Sequence, residues 1–277
     1  CWWMHDTQTD GPALTAFKAK VQDALTAGQP VPEDIFWAQA GAETMPLVTG
    51  QITLQQYWDD LNALFAEIRG WLIGLGASNP QVYVSMPGPR EDEIGKVRER
   101  GYAGVRWTYL RFIDEHPWAH YVPEMYDVPG VYLDVHKSML GSYTMGYRIA
   151  RTIANVRGGQ NLSLGPQISA VGLENNNRTV RLSISGSSVR MPSNPAAPWI
   201  IPAGGVATDA PVPVTRVRVE GTDLVVDTAQ DLTGCRVMHP YGATGDYRGD
   251  TVIYDLADIH VKMPGLPLRS YVSAPLS

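Results

Sequence analysis

The chain has 277 residues, of which 22 are basic and 28 acidic, giving a formal charge of −6. No Lys/Arg cluster is longer than two residues, which excludes a binder that tracks the phosphates of a nucleic acid through a positive stripe. With 44% apolar residues the chain can build a core, so it is not disordered, and no apolar run approaches the ~18 residues needed to span a bilayer.

The length suits one large domain or two medium ones. Cys1 and Cys235 cannot make a disulfide framework, and neither suggests a metal site. The sequence opens Cys1-Trp2-Trp3 without an initiator Met or a charged leader, which reads as a fragment or a processed product.

Leu14, Phe17, Val21, Ala24 and Leu25 recur at helical spacing after Gly11-Pro12 and predict a helix over 12–27. Asp34-Ile35-Phe36-Trp37-Ala38 reads as a buried parallel strand running into the small-residue loop Gln39 to Thr44. Thr53 and Gln56 form a capping-box signal for a helix whose apolar stripe runs from Leu54 to Leu75. Asn79-Pro80 stops it, and Gln81 to Met86 reads as a second strand broken by Pro87-Gly88-Pro89. Further helical stretches are marked by Ile94, Val97, Val105, Tyr109 and Phe112, and by Tyr143, Tyr147, Ala150 and Ile153. Alternating strands and helices imply a parallel sheet covered on both faces, with ligands at the carboxyl ends of its strands. Those ends are the loops at 39–45, 87–90 and around 130–138.

After Arg157-Gly158-Gly159 the helical period gives way to short alternating runs at Thr179–Ser185, Thr215–Val219, Leu224–Val226, Arg236–Met238 and Thr251–Tyr254. Turn residues separate them, which predicts a small antiparallel sandwich beginning near residue 160. Pro192 to Pro213 reads as a long loop.

Three groups of residues could carry chemistry. In Gln39 to Thr44 an amide or carboxylate could point into a cleft, although a tight loop after a strand would look the same. In Asp134-Val135-His136-Lys137-Ser138 a carboxylate lies near an imidazole, as a general base requires, and the same stretch could simply cap a helix through Ser138 or Asp134. His116 and His120 have the four-residue spacing of a helical zinc pair, but Pro117 breaks the helix this geometry needs. Trp2, Trp3, Trp118 and Trp199 are candidates for a sugar-stacking platform, against core or interface packing, while Trp58 and Trp71 fall on a helical apolar stripe.

Taken in order, these segments resemble the SGNH hydrolases, most closely the sialate O-acetylesterase-like carbohydrate esterases, including those in phage and prophage structural proteins. Ile35-Phe36-Trp37-Ala38-Gln39-Ala40-Gly41-Ala42-Glu43-Thr44 is similar to that family's Trp-x-Gln-Gly-Glu-Ser/Thr-Asp block, and Tyr57 through Arg69 to the helix that follows it. Asp134-Val135-His136-Lys137-Ser138, with Gly141 and Gly146-Tyr147-Arg148-Ile149-Ala150, resembles its last block. Gly165-Pro166-Gln167-Ile168 and Gly265-Leu266-Pro267-Leu268 look like the β domain appended to such enzymes. The sequence departs from the family in three ways. It contains no Gly-Asp-Ser or Gly-Gln-Ser block, extra small residues leave open whether Gln39, Gly41 or Glu43 fills each position, and Asp134 and His136 stand closer than the usual Asp-x-x-His.

The resemblance implies an α/β fold: an SGNH (flavodoxin-like) parallel three-layer sheet over 1–160, N-terminally incomplete, followed by a small antiparallel β-sandwich over 161–277. It implies an O-acetylesterase acting on surface polysaccharide through a Ser-His-Asp mechanism. His136 and Asp134 would be catalytic, Gln39, Gly41 and Glu43 would bind the oxyanion or substrate, and the nucleophilic Ser is expected upstream of Cys1. No metal or organic cofactor is required. The partner would be an O-acetylated glycan, with no nucleic acid and no membrane insertion, at an extracellular or virion surface, in a longer chain or a homo-oligomeric assembly. A sheet without its first strand would expose an edge, so that strand is expected before Cys1 or from another chain. The alternative is a non-catalytic phage virion or cell-surface module that keeps the esterase fold to bind glycans.

Overall fold

A computed structural model describes residues 2–39, 41–87, 99–128, 138–240, 252–256 and 266–277. A short hairpin of β1 (Trp3–Met4) and β2 (Thr9–Asp10) leads into α1 (Pro12–Thr26). Proline suits the first helical turn, where its missing N–H has no intrahelical acceptor. Three parallel strands follow, β3 (Asp34–Trp37), β4 (Gln81–Ser85) and β5 (Ala119–Val122), in the spatial order β3-β4-β5. All five residues of the central β4 are buried, as a strand covered on both faces requires. β3 pairs only with β4 among the described residues, and Phe36 on it is 39% exposed.

Helices cover this sheet. α2 (Thr44–Thr49) is a single short turn region, and α3 (Leu54–Gly74) begins at the expected capping box. Gln56 N donates to Thr53 Oγ1 at 3.1 Å, and Thr53 N donates to Gln56 Oε1 at 2.8 Å. Its stripe of Tyr57, Leu61, Leu64, Phe65, Ile68 and Leu72 joins the core with Val82, Val84, Tyr109 and Phe112. α4 (Glu99–Glu115) crosses α2 at Gly101, where a Cβ would lie 2.1 Å from the Thr44 carbonyl oxygen. α5 (Met139–Gly158) starts at Ser138, whose Oγ accepts from Gly141 N at 3.0 Å, and stops at Gly159 with a left-handed φ of 60°. Of the two caps that the sequence offered, Ser138 and Asp134, Ser138 is the one that caps this helix.

The strand β5 has no counterpart in the expectations. It is four residues long and follows Pro117, so no alternation announces it, and only its pairing with β4 defines it. It also separates the two histidines. His116 follows α4 and stacks on Trp118 with 4.5 Å between rings, whereas His120 lies in β5 beside Gln81.

The rest of the chain is antiparallel. β6 (Gln167–Glu174), β7 (Thr179–Ser185), β8 (Val189–Arg190), β9 (Trp199–Ile201), β10 (Val214–Glu220), β11 (Asp223–Thr228) and β12 (Arg236–His239) precede β13 (Tyr254–Asp255), β14 (Leu266–Pro267) and β15 (Tyr271–Val272). They form sheets ordered β10-β11-β7-β6, β15-β12-β9 and β14-β13-β8. Asn175, Asn176 and Asn177 turn between β6 and β7 with φ of 51°, 54° and 62°, a left-handed conformation that asparagine tolerates. Val180, Leu182, Leu224 and Val226 of the first sheet share a core with Ile200 and Val237 of the second. The opposite face of the first sheet carries Arg181, which pairs with Glu174, Glu220 and Asp223.

Two expectations need correction here. The stretch Pro192 to Pro213 is not simply a loop, because it contains β9, which pairs with β12. Three apolar residues between prolines are too few to show a period. Trp199 lies on that strand, only 7% exposed, so it offers no face to a sugar.

The C-terminal segment returns to the first half of the chain. Tyr126 Oη donates to Leu268 O at 2.9 Å, and Ser270 N donates to Glu124 Oε1 at 3.1 Å.

Candidate functional site at the carboxyl edge of the parallel sheet

β3 delivers Gln39 and, across a tight turn, Gly41 and Glu43 to the carboxyl edge of the sheet. A stack of hydroxyls and rings supports this loop from below. Trp37 Nε1 donates to Tyr109 Oη at 2.9 Å, and Tyr109 Oη donates onward to the Gln39 carbonyl. Tyr57 Oη reaches Tyr109 Oη at 3.3 Å. Burial pushes both phenols above their ordinary pKa, so they stay protonated donors. Thr44 Oγ1 donates to Gly41 O at 2.9 Å and closes the turn, and close packing on Gly101 of α4 fixes Thr44 in turn.

Inside the loop, Gln39 Nε2 donates to Glu43 Oε1. Glu43 Oε2 is buried with no partner among the described residues. Burial raises the Glu43 carboxyl above its ordinary value, and the bond from Gln39 offsets only part of that. The structure therefore brings Gln39, Gly41 and Glu43 together in one loop. Its chemical capacity is a fixed carboxamide next to a carboxyl that burial makes a weaker acid than usual.

The ends of β4 and β5 are held by a buried ionic lattice that sequence reasoning did not find. Arg106 of α4 donates to Glu124 Oε2 at 2.7 Å and to the Pro87 carbonyl, with the Arg106 and Glu124 side chains fully buried. Tyr121 Oη donates to Glu124 Oε1 at 2.8 Å, and Ser270 Oγ donates to the same oxygen. Arg148 of α5 donates through Nη1 and Nη2 to Asp127 at 2.6 and 2.8 Å, and also to the Glu124 carbonyl. No local signal announced it: Arg148 shares the buried face of α5 with Thr144, Arg151 and Thr152, away from the stripe of Tyr143, Tyr147, Ala150 and Ile153 that marks the helix in the sequence.

Asp134 and His136 lie outside the described residues, in the stretch between Val128, which is buried, and Ser138, the cap of α5. The aromatic platform needs correction beyond Trp199. Trp2 packs edge-on against Trp37 at 5.3 Å, Trp3 joins the main core, and Trp118 packs against Phe112 with Arg69 lying 4.2 Å from its ring centre. These indoles are half-buried structural contacts rather than a shared exposed face.

Among the described residues no group of three or more His, Cys, Asp or Glu side chains is placed to hold a metal ion. No described helix is long and apolar enough to cross a membrane.

No protein-family model matches the chain, and no curated protein matches its sequence. Its fold is similar to the crystal structure of a carbohydrate acetylesterase from Xanthomonas citri, with a TM-score of 0.57 and 16% identity over 87% of this chain. The chain spans 50% of the length of that protein.

Proposed function

We propose that the protein belongs to an ester hydrolase that removes O-acetyl groups from a polysaccharide, working at the carboxyl edge of the β3-β4-β5 sheet. The observation that carries this reading is the fold likeness to a carbohydrate acetylesterase. The loop from Gln39 to Glu43 adds to it, since it stands where open α/β sheets bind ligands.

In this reading His136 takes the proton from a serine nucleophile as that oxygen attacks the acetyl carbonyl. Asp134 orients the imidazole and stabilises its protonated form. The tetrahedral oxyanion is met by Gln39 or by the backbone near Gly41. A carboxamide carries two N–H donors. One is committed to Glu43 and fixes the plane of the amide, which leaves the other to aim at the oxyanion. Collapse of the intermediate expels the sugar hydroxyl, and water then releases acetate from the serine by the same base.

The test is hydrolysis of p-nitrophenyl acetate and of an acetylated xylan by the protein as its complete gene encodes it. His136→Ala is expected to lower kcat by about 10³-fold or more, as loss of a catalytic base does. Equal rates for the two proteins would overturn the assignment.

A second reading is a non-catalytic virion or cell-surface module that retains the fold to bind glycans. It is favoured by the bond from the Gln39 carboxamide to Glu43, which turns that amide towards the loop's own carboxylate. Labelling of the same gene product by a fluorophosphonate probe would reject it.

A further inference from the structure

A cleft of about 530 Å³ runs between the later turns of α4 and residues 270–274. It is a different place from the loop at Gln39. α4 meets that loop through Gly101 and the Tyr109 hydroxyl, whereas the cleft is lined by other side chains of the same helix, Trp107, Leu110, Ile113 and Asp114.

Two arginines define its chemistry. Arg236 of β12 lies with its guanidinium 5.7 Å from the Trp107 ring centre and donates Nη1 to Ser273 O at 3.0 Å. Arg269 lies 4.5 Å from the ring centre of Tyr121. Neither makes an ion pair with a carboxylate among the described residues. A guanidinium resting on an aromatic ring is held in position while its N–H edge remains able to donate.

The remaining walls say what kind of anion fits. Arg111 is committed to Glu115 at 2.7 Å. Asp114 feels Arg269 through space, which pulls its carboxyl down against a larger upward push from burial. Leu110, Ile113 and Val272 supply apolar surface, and Gln167 an amide, within the same cleft. A small inorganic anion uses none of that apolar wall. A sugar acid uses both, with its carboxylate on the arginine forks and its C–H faces on the aliphatic side chains.

We infer that this cleft is a second binding site, for the carboxylate-bearing units of an acidic saccharide, using Arg236 and Arg269 as anchors. It goes beyond ester hydrolysis and does not depend on it: it would hold a uronate-containing chain to the protein whether or not the sheet-edge site is active.

The experiment is calorimetric titration of the chain with trigalacturonate, its fully methyl-esterified form, and inorganic phosphate, at low and high salt. Trigalacturonate is expected to bind, more weakly as salt rises, and about 10-fold or more tighter than the uncharged ester, which offers the forks no charge. Arg236→Gln and Arg269→Gln should each weaken it by about 10-fold, and Asp114→Asn, which removes a like charge from the wall, should tighten it. The Asp114 variant keeps the inference testable if either arginine variant folds poorly, because a gain in affinity cannot come from unfolding. Equal binding of acid and ester, no saturable binding of trigalacturonate, phosphate binding as tight as trigalacturonate, or no gain in Asp114→Asn would each overturn the inference.

Discussion

Arg148 and Asp127 form a two-pronged ion pair, at 2.6 and 2.8 Å, between side chains that are 1% and 0% exposed. Removing one member leaves a charge in the interior without its counter-ion. Asp127→Ala and Arg148→Ala should each cost about 3–5 kcal/mol in urea unfolding. The double variant Asp127→Leu/Arg148→Met should cost less than either single change, because no orphaned charge remains.

The Tyr109 hydroxyl joins Trp37 Nε1 to the Gln39 carbonyl. Tyr109→Phe therefore leaves a buried indole N–H unsatisfied and frees the loop, with an expected loss of about 1–3 kcal/mol. Tyr57→Phe removes a longer contact of 3.3 Å and should cost less. Thermal melts of the two variants give the order.

Two helical glycines should respond in opposite directions to alanine. At Gly101 the new methyl meets the Thr44 backbone at 2.1 Å, so Gly101→Ala should destabilise by about 1–3 kcal/mol through overpacking. At Gly146, mid-way along α5, nothing lies within 4 Å, and Gly146→Ala should stabilise by about 0.5–1 kcal/mol. Denaturant midpoints of both decide it.

Burial, with Arg106 adding to it, lowers the His239 pKa from 6.5 to about 3. The unfolded chain takes up this proton first, so the contribution of His239 is complete above pH 6.5 and is lost as pH falls towards 3. His239→Gln should flatten the acid limb of unfolding free energy against pH. Glu43 acts in the opposite sense. Its carboxyl is raised above 4.5 in the folded protein, so its contribution is present at lower pH and is lost as pH rises through the folded value. Glu43→Gln should therefore gain stability at neutral pH, and the same unfolding series measures both.

The four longer helices and the strands β3 and β4 could be read from sequence because each carries a local signal, whereas the six-residue α2 is too short to show one. Thr53 and Gln56 announce α3 by chemistry that needs no distant partner, and the apolar run at Gln81 marks β4. β5 and β9 escaped because they are short and exist only through pairing with β4 and β12. The gathering of Gln39 and Glu43 follows from their closeness in sequence. The lattice of Arg106, Glu124, Tyr121 and Ser270 joins residues up to 164 positions apart, and no pattern within one window can report such a distance. The tryptophans misled for a related reason. An indole's composition is the same whether it lies on Phe112, under Arg69 or in solvent, and packing alone separates these cases.

The bond from Ser270 to Glu124 spans 146 positions of the chain. During synthesis Arg106 and Glu124 leave the ribosome early and must wait, at about 5–20 residues per second, for the hydroxyl that completes their shell. Until residue 270 arrives, the first half holds a charged pair lacking one of its donors. The shell around a pair in the first half is thus completed by a residue made near the end.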